Sequence, residues 1–329
     1  MAFLIAGALL LGGVAALVKG ADWFTDGAGD LAKALGVSAL FIGIVLAGLE
    51  PEEMLTAAIA SGRGAAGLAV GNVIGTNVTI LLLALGLAAV LVPIRLAPSV
   101  RPQAIIATVA SVPPIVLLFL GTVSRLAGLL LLGLFVGYTL LLLRVDRQAV
   151  ERHEALEALE SGHEDAGVAA PRIFTQLERR AYVWRKGRIT LIGLLTMAAG
   201  APAIVEGALR VAALVGLRQS AIGLTIVSLG TGAEMVALAI AASRRGTAEI
   251  LVGGIIGSFA YNLLVTLGLA ATIRALPVDP QITHVALPVM IAAHLVLLVL
   301  VLVGRISRGV GVVLLVGYAA YLVAVVVVR

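Results

Sequence analysis

Uncharged apolar runs recur along the whole 329-residue chain, and they restrict its folding more than any other feature. Pro102 to Ser124, Leu126 to Leu143 and Gly309 to Val328 contain no Asp, Glu, Lys or Arg. Each approaches the ~20 residues a helix needs to cross ~30 Å of hydrocarbon. Lipid offers the backbone no hydrogen-bonding partner, so only helices or a closed barrel can span it. The runs are continuous rather than alternating, which selects helices. Charged residues are 12% of the chain, about half of the ~25% typical of a soluble domain. The sequence therefore predicts an all-α membrane protein with the lipid bilayer as its main environment.

Ten spans can be traced, at 2–18, 37–60, 66–92, 102–121, 124–143, 188–208, 219–242, 249–273, 283–303 and 309–328. The first begins without a basic flank or a small-residue cleavage site and reads as a retained helix rather than a signal peptide. Between the fifth and sixth spans lies a polar stretch rich in both charge signs. It separates a first five-helix unit (1–143) from a second (188–329) as a linker loop (144–187) whose middle can form a short amphipathic helix. Loops on one side collect Lys19, Lys33, Arg95, Arg101, Arg244, Arg245, Arg305, Arg308 and the linker; the other side has Arg63, Arg125, Arg210, Arg218, Arg274 and Arg329. The bias places the linker in the cytoplasm and both termini outside, in a prokaryotic-type plasma membrane. The same reading explains the basic pI by topology, with no nucleic acid as partner.

The two units resemble each other. Gly48 to Ala89, "GLEPEEMLTAAIASGRGAAGLAVGNVIGTNVTILLLALGLAA", aligns with Gly230 to Ala271, "GTGAEMVALAIAASRRGTAEILVGGIIGSFAYNLLVTLGLAA". Glu53-Met54 matches Glu234-Met235, and Gly71, Gly75 and Thr76 match Gly253, Gly257 and Ser258. Further upstream, Asp26-Gly27-Ala28 matches Glu206-Gly207-Ala208. With an odd number of spans per unit, the second copy enters the membrane from the opposite side. The expectation is two inverted five-helix repeats, with a site at their interface near the bilayer midplane.

Glu53 and Glu234 are the leading site candidates. A carboxylate in the bilayer costs several kcal/mol unless it is paired, solvated or bound to a cation, and both lie in apolar surroundings at matched positions. Pro51 can open a half-helix, with Glu50 flanking it and Glu52 and Glu53 in its first turn. "GNVIGTN" (Gly71 to Asn77) and "GGIIGSF" (Gly253 to Phe259) add Thr76, Ser258 and Asn262, with Asn77 a weaker candidate, as neutral oxygens of the kind hard cations take beside carboxylates. Glu53 and Glu234 would be the metal ligands. No resident cofactor is expected, because the cations are themselves the substrates. Asp22, Asp26 and Glu206 read as interfacial. His294 reads as a packed, hydrogen-bonded histidine, Pro113-Pro114 and Pro288 as kinks, and Trp23 and Trp184 as interfacial anchors.

These repeats resemble the alpha repeats of the calcium/cation antiporter superfamily, which includes sodium/calcium exchangers. The family pattern is a G-T-S-x-P-E stretch, an R/K-G turn, then G-N-x-x-G-S-N-x-x-N. Lys19 to Gly43, "KGADWFTDGAGDLAKALGVSALFIG", is also similar to the family's segment after its first helix. The resemblance implies ten helices and exchange of a cation, Ca²⁺ above all, for Na⁺ or H⁺. It implies alternating access by sliding of the first and sixth helices over a rigid core. It implies ion-binding roles for Glu53, Glu234, Thr231, Thr76, Ser258 and Asn262.

The chain departs from that pattern. "GLEPEE" replaces the first G-T-S-x-P-E, so Glu50 and Glu52 are gained and hydroxyls are lost. The first later amide is Ile80, Gly232 replaces the second serine, the second proline is absent, and Glu234 lies one residue farther from its turn. Clustered acids favour one another's protonation, which suits a proton-binding step. An antiporter of Mg²⁺, K⁺ or Na⁺ against H⁺ is the alternative within transport; an ion channel or a transport-inactive scaffold is the alternative outside it. An enzyme is not expected, since no nucleophile has an evident base.

Overall fold

Hydrophobicity sets where a helix can cross lipid, whereas hydrogen bonding sets how far it continues. The computed structural model describes residues 1–34, 50–96, 98, 100–160, 176–233, 235–236, 239–240 and 248–327. Helix α1 (Ala2–Ala34) outruns the expected 2–18 span, α5 (Arg125–Glu160) outruns 124–143, and α6 (Gln176–Val215) begins before 188. The extensions carry charges, which an intrahelical backbone ladder tolerates once it leaves hydrocarbon. Much of the linker's flank is thus helical, and its middle, 161–175, lies outside the described residues.

The remaining helices are α2 (Pro51–Gly62), α3 (Ala66–Val78), α4 (Val100–Phe119), α7 (Gln219–Ile222), α8 (Ala248–Tyr261), α9 (Leu287–Val303) and α10 (Arg308–Val327). Helix α3 continues through a π-helical stretch, Thr79–Ala84, into Leu85–Leu91. Helix α8 does the same through Asn262–Thr266 into Leu267–Ile273. A π stretch at Gly223–Val227 carries α7 on to Ser228–Thr231, and another at Ile282–Ala286 leads into α9 with Pro288 in its first turn. The stretch through Thr231 ends at a non-helical Gly232, and the other interruptions are these wider turns, a device common near functional sites. Pro113 and Pro114 lie inside α4.

Among the described residues, eight helices are long and apolar enough to cross a membrane: Ala2–Gly20, Ala66–Leu91, Val100–Phe119, Arg125–Leu142, Tyr182–Val215, Leu251–Ile273, Ile282–Val303 and Arg308–Val327. The two other expected spans, 37–60 and 219–242, fall partly on residues outside the described set. Two of the eight stand apart. The span in α3 is 83% buried and that in α8 is 94% buried, against 39% or less in the others. These two form the centre. The rest turn side chains such as Val109, Leu130, Val299 and Val313 outward, where lipid replaces water as their solvent.

Two antiparallel ribbons join distant loops. β1 (Ile94–Arg95), after α3, pairs with β4 (Arg305–Ile306), after α9. β2 (Thr122–Val123), after α4, pairs with β3 (Leu276–Pro277), after α8.

Glycines set the helix crossings. A Cβ on Gly71 would lie 2.6 Å from the Ser220 carbonyl oxygen, and one on Gly75 would lie 2.7 Å from both Leu224 Cα and Ser228 Cβ. Helices α3 and α7 therefore meet backbone to backbone, as small residues allow in membranes. Helices α1 and α6 share a second seam. A Cβ on Gly13 would lie 2.9 Å from the Ile204 backbone nitrogen, and one on Gly20 would lie 2.7 Å from the Gly193 oxygen. From the α6 side, Gly200 meets the Gly13 oxygen and Gly207 the Ala6 oxygen.

Candidate cation site

The site begins at the first turn of α2. Glu50 occupies the N-cap position with non-helical backbone (φ −109, ψ 78), Pro51 follows, and Glu52 and Glu53 lie in the first turn. Proline fits there because that N–H has no intrahelical acceptor, and acidic groups there meet the positive end of the helix dipole. All three carboxylate residues are buried, Glu53 completely.

Glu53 is held by α3. Asn72 Nδ2 donates to Glu53 Oε2, and Thr76 Oγ1 donates to Glu53 Oε1 at 2.7 Å. Asn72 and Thr76 are four residues apart and share one helix face. The other half of the chain supplies Thr231, at the end of α7. Its hydroxyl lies 3.4 Å from Thr76 Oγ1 and 3.2 Å from Asn72 Oδ1, and 3.0 Å from the Val227 carbonyl. Carboxylate, hydroxyl and amide oxygens from α2, α3 and α7 thus converge in a buried space.

A second cluster adjoins the first. Asn262, at the start of the π stretch of α8, donates through Nδ2 to Glu50 Oε2 at 2.9 Å and faces Asn77 Oδ1 at 3.3 Å. Asn77 Nδ2 reaches Met290 Sδ of α9 at 3.7 Å. Thr76 and Asn77 are adjacent in α3 and serve different clusters, which ties the two together. Glu52 is buried beside them in sequence. Ser258 is buried one turn before Asn262, and its hydroxyl makes no hydrogen bond among the described residues. Glu234 lies outside the described residues. Among the described residues no three His, Cys, Asp or Glu side chains converge as a metal cluster. A cation here would therefore depend on hydroxyl and amide oxygens as well as carboxylate.

Asn72 was not among the residues singled out from sequence. Its position four residues before Thr76, on the same helix face, was the available signal. The weaker candidates are placed as follows. Glu206 accepts from Arg63 Nη1 at 2.8 Å and from Arg210 Nε at 2.7 Å, at a partly exposed position. Asp22 pairs with Lys19 at 3.8 Å, and the Lys19 ammonium lies 5.5 Å from the Trp23 ring; the Asp26 side chain is outside the described set. His294 Nε2 lies 2.8 Å from Thr108 Oγ1, and its ring stacks on Phe259 at 3.8 Å.

The Arg63–Glu206 pair joins the turn after α2 to α6 through solvent-screened groups. Such pairs contribute about 0–1 kcal/mol. Arg63→Gln is therefore expected to leave the melting temperature in detergent nearly unchanged, as a thermal-shift assay would show.

The family model for the sodium/calcium exchanger protein matches residues 5–144 and again 188–327. The chain belongs to the sodium/calcium exchanger family. Among its relatives, the sodium/calcium exchanger MaX1 of Methanosarcina acetivorans is 30% identical, across 96% of this chain and 97% of that one. The inner membrane protein YrbG of Escherichia coli (strain K12) is also 30% identical, across 97% and 96%. A solved structure of the sodium-calcium exchanger NCX_Mj, soaked with 2.5 mM Na⁺ and 10 mM Sr²⁺, covers all of both chains with a TM-score of 0.69 and 25% identity. This exchanger-family chain is therefore an integral membrane protein with the fold of that exchanger, in a family of cation-exchange transporters rather than enzymes. The exchanger family's two matched segments are equal in length and leave the polar stretch between them unmatched.

Proposed function

We propose that this protein is a secondary active transporter that exchanges Ca²⁺ for Na⁺ or H⁺ by alternating access, with Glu53 and Glu234 as its central ligands. The observation that carries the reading is the buried Glu53 carboxylate. Thr76 and Asn72 of its own half hold it, and they in turn meet Thr231 of the other half. A site built by both halves can change exposure when one half moves against the other. Ser258, Asn262, Asn77, Glu50 and Glu52 complete the proposed ion-binding region.

The proposed arrangement is ten crossings in two inverted repeats, 1–143 and 188–329, joined by 144–187. The ribbons support it. In a ten-crossing chain the loops after the third and ninth spans share one face, and those after the fourth and eighth share the other; these are the pairs that β1·β4 and β2·β3 make. The termini would lie outside. The chain has no cysteine, so single cysteines placed at 163 and near residue 2 can be labelled with an impermeant maleimide in intact cells. Labelling of residue 2 and protection of 163 is the expected result; the converse reverses the orientation.

Proton coupling is the second reading. Three acidic residues in four positions, all buried, are costly to keep ionised together without cations. Loading ⁴⁵Ca into proteoliposomes under opposed sodium and proton gradients separates the readings. Sodium-driven uptake supports the first, and proton-driven uptake supports the second. Uptake by neither, with another cation driven by protons, moves the substrate to Mg²⁺, K⁺ or Na⁺. Conductance without coupling would indicate a channel, and no flux at all would indicate a scaffold.

A further inference from the structure

We propose that the β1·β4 ribbon and the crevice beside it bind an anionic phospholipid. The argument starts from register. Arg95 and Arg305 are directly paired across the ribbon, although about two-thirds of the chain separates them. Opposed residues in an antiparallel pair point to the same face, and like charges so placed destabilise it. Two more cations adjoin. Arg101 Nη2 lies 3.9 Å from where a Cβ on Gly304 would stand, and Arg308 Nη2 lies 3.4 Å from the Leu91 carbonyl oxygen.

None of these four arginines has a carboxylate partner among the described residues. The sequence shows why: no Asp or Glu occurs from 54 to 145 or from 280 to 329. The other ribbon is a control within the same fold. There Thr122 faces Pro277 and Val123 faces Leu276, and nearby Arg218 is paired with Asp279 at 2.8 Å. Like-charge pairing is therefore not a requirement of the fold. A positive bias on one membrane side explains the sign of these loops, but not why two arginines from different halves should be brought face to face.

The crevice identifies the anion's form. It is an open crevice of about 550 Å³, and both Arg95 and Arg305 line it together with Pro93, Leu300, Val303 and Val310. A phosphate at the arginines would share the crevice with a mainly apolar lining, which suits the glycerol and acyl portion of a lipid better than a free ion. Basic residues at a membrane surface attract anionic headgroups by about fivefold each, so the pair should contribute about 30-fold.

The test is native mass spectrometry of the detergent-purified protein with dioleoyl phosphatidylglycerol, dioleoyl phosphatidylcholine and inorganic phosphate. The expected result is a phosphatidylglycerol adduct that weakens about 30-fold in the R95Q/R305Q double variant. Arg125→Gln, on the other ribbon's side, should leave it unchanged. Val303→Trp keeps every charge and fills the crevice; it should also lose the adduct while melting as the wild type does. Equal binding of phosphatidylcholine, retention in R95Q/R305Q or in Val303→Trp, or competition by inorganic phosphate alone would each overturn the proposal.

Discussion

Glu53→Gln is expected to cut cation exchange about 100-fold, a loss on the order of 3 kcal/mol at a desolvated charge pair, while the protein folds and melts much as before. Glutamine has nearly the same shape, and its amide oxygen can still accept from Thr76, which sits 2.7 Å from the carboxylate. The Asn72 amide can turn so that its oxygen faces the new NH₂ group. Removing one of several clustered buried carboxylates also removes its desolvation cost, so stability should not suffer. What disappears is the negative charge that, on the proposed reading, offsets a desolvated cation. Radiolabelled uptake into proteoliposomes, together with melting in detergent, measures both quantities. Uptake within twofold of wild type would transfer the role to the neighbouring Glu50 and Glu52.

The second large effect is expected at Gly75→Ala, a substitution that changes none of the proposed ion-binding side chains. The added methyl carbon would meet Leu224 Cα, Leu224 O and Ser228 Cβ, each at 2.7 Å. Two of these are backbone atoms, so α7 has to move, at about 1–3 kcal/mol for an overpacked site. Thr231 lies one turn beyond Ser228 and touches Thr76 and Asn72 only at 3.4 and 3.2 Å. A displacement of a few tenths of an ångström is enough to break those contacts. Transport should therefore fall by more than the drop in melting temperature accounts for. Gly133→Ala is the control. Nothing lies within 4 Å of its added Cβ, and trading glycine for alanine within a helix should stabilise by about 0.5–1 kcal/mol. Equal transport in the two variants would mean that the α3–α7 crossing does not position Thr231.

The sequence exposed those parts of the fold that depend on solvent and on repetition. Long uncharged runs such as Leu126 to Leu143 can only be membrane helices, and the matched glycines at 71, 75, 253 and 257 made the duplication visible. Helix ends were less legible, because α1 and α5 continue on hydrogen bonds after their apolar residues run out. The π stretches at Thr79–Ala84 and Asn262–Thr266 left no compositional mark. In the site, Glu53, Thr76 and Thr231 were readable from charge and motif, and the structure brings them together. The link between Glu50 and Asn262 was not, since the two are 212 residues apart and meet only through tertiary packing. Asn72 carried a signal in its spacing to Thr76, but one asparagine within a glycine-rich motif reads as packing until the partner of its helix face is known. Arg95 and Arg305 were legible as topology markers, but their confrontation is a property of strand register alone.

The α1–α6 seam has a mechanical consequence. Ile204 fills the notch at Gly13, Met197 fills the notch at Gly20, and the Gly200 and Gly207 notches receive α1 in return. Interlocked in this way, neither helix can advance past its neighbour without climbing over a backbone. Any excursion of one must carry the other, as a zip fastener moves with both its tapes. Bridging α1 to α6 with engineered disulfides should therefore be silent, whereas a bifunctional maleimide joining cysteines at 63 and 206, whose present side chains meet at 2.8 Å, should arrest the proposed exchange.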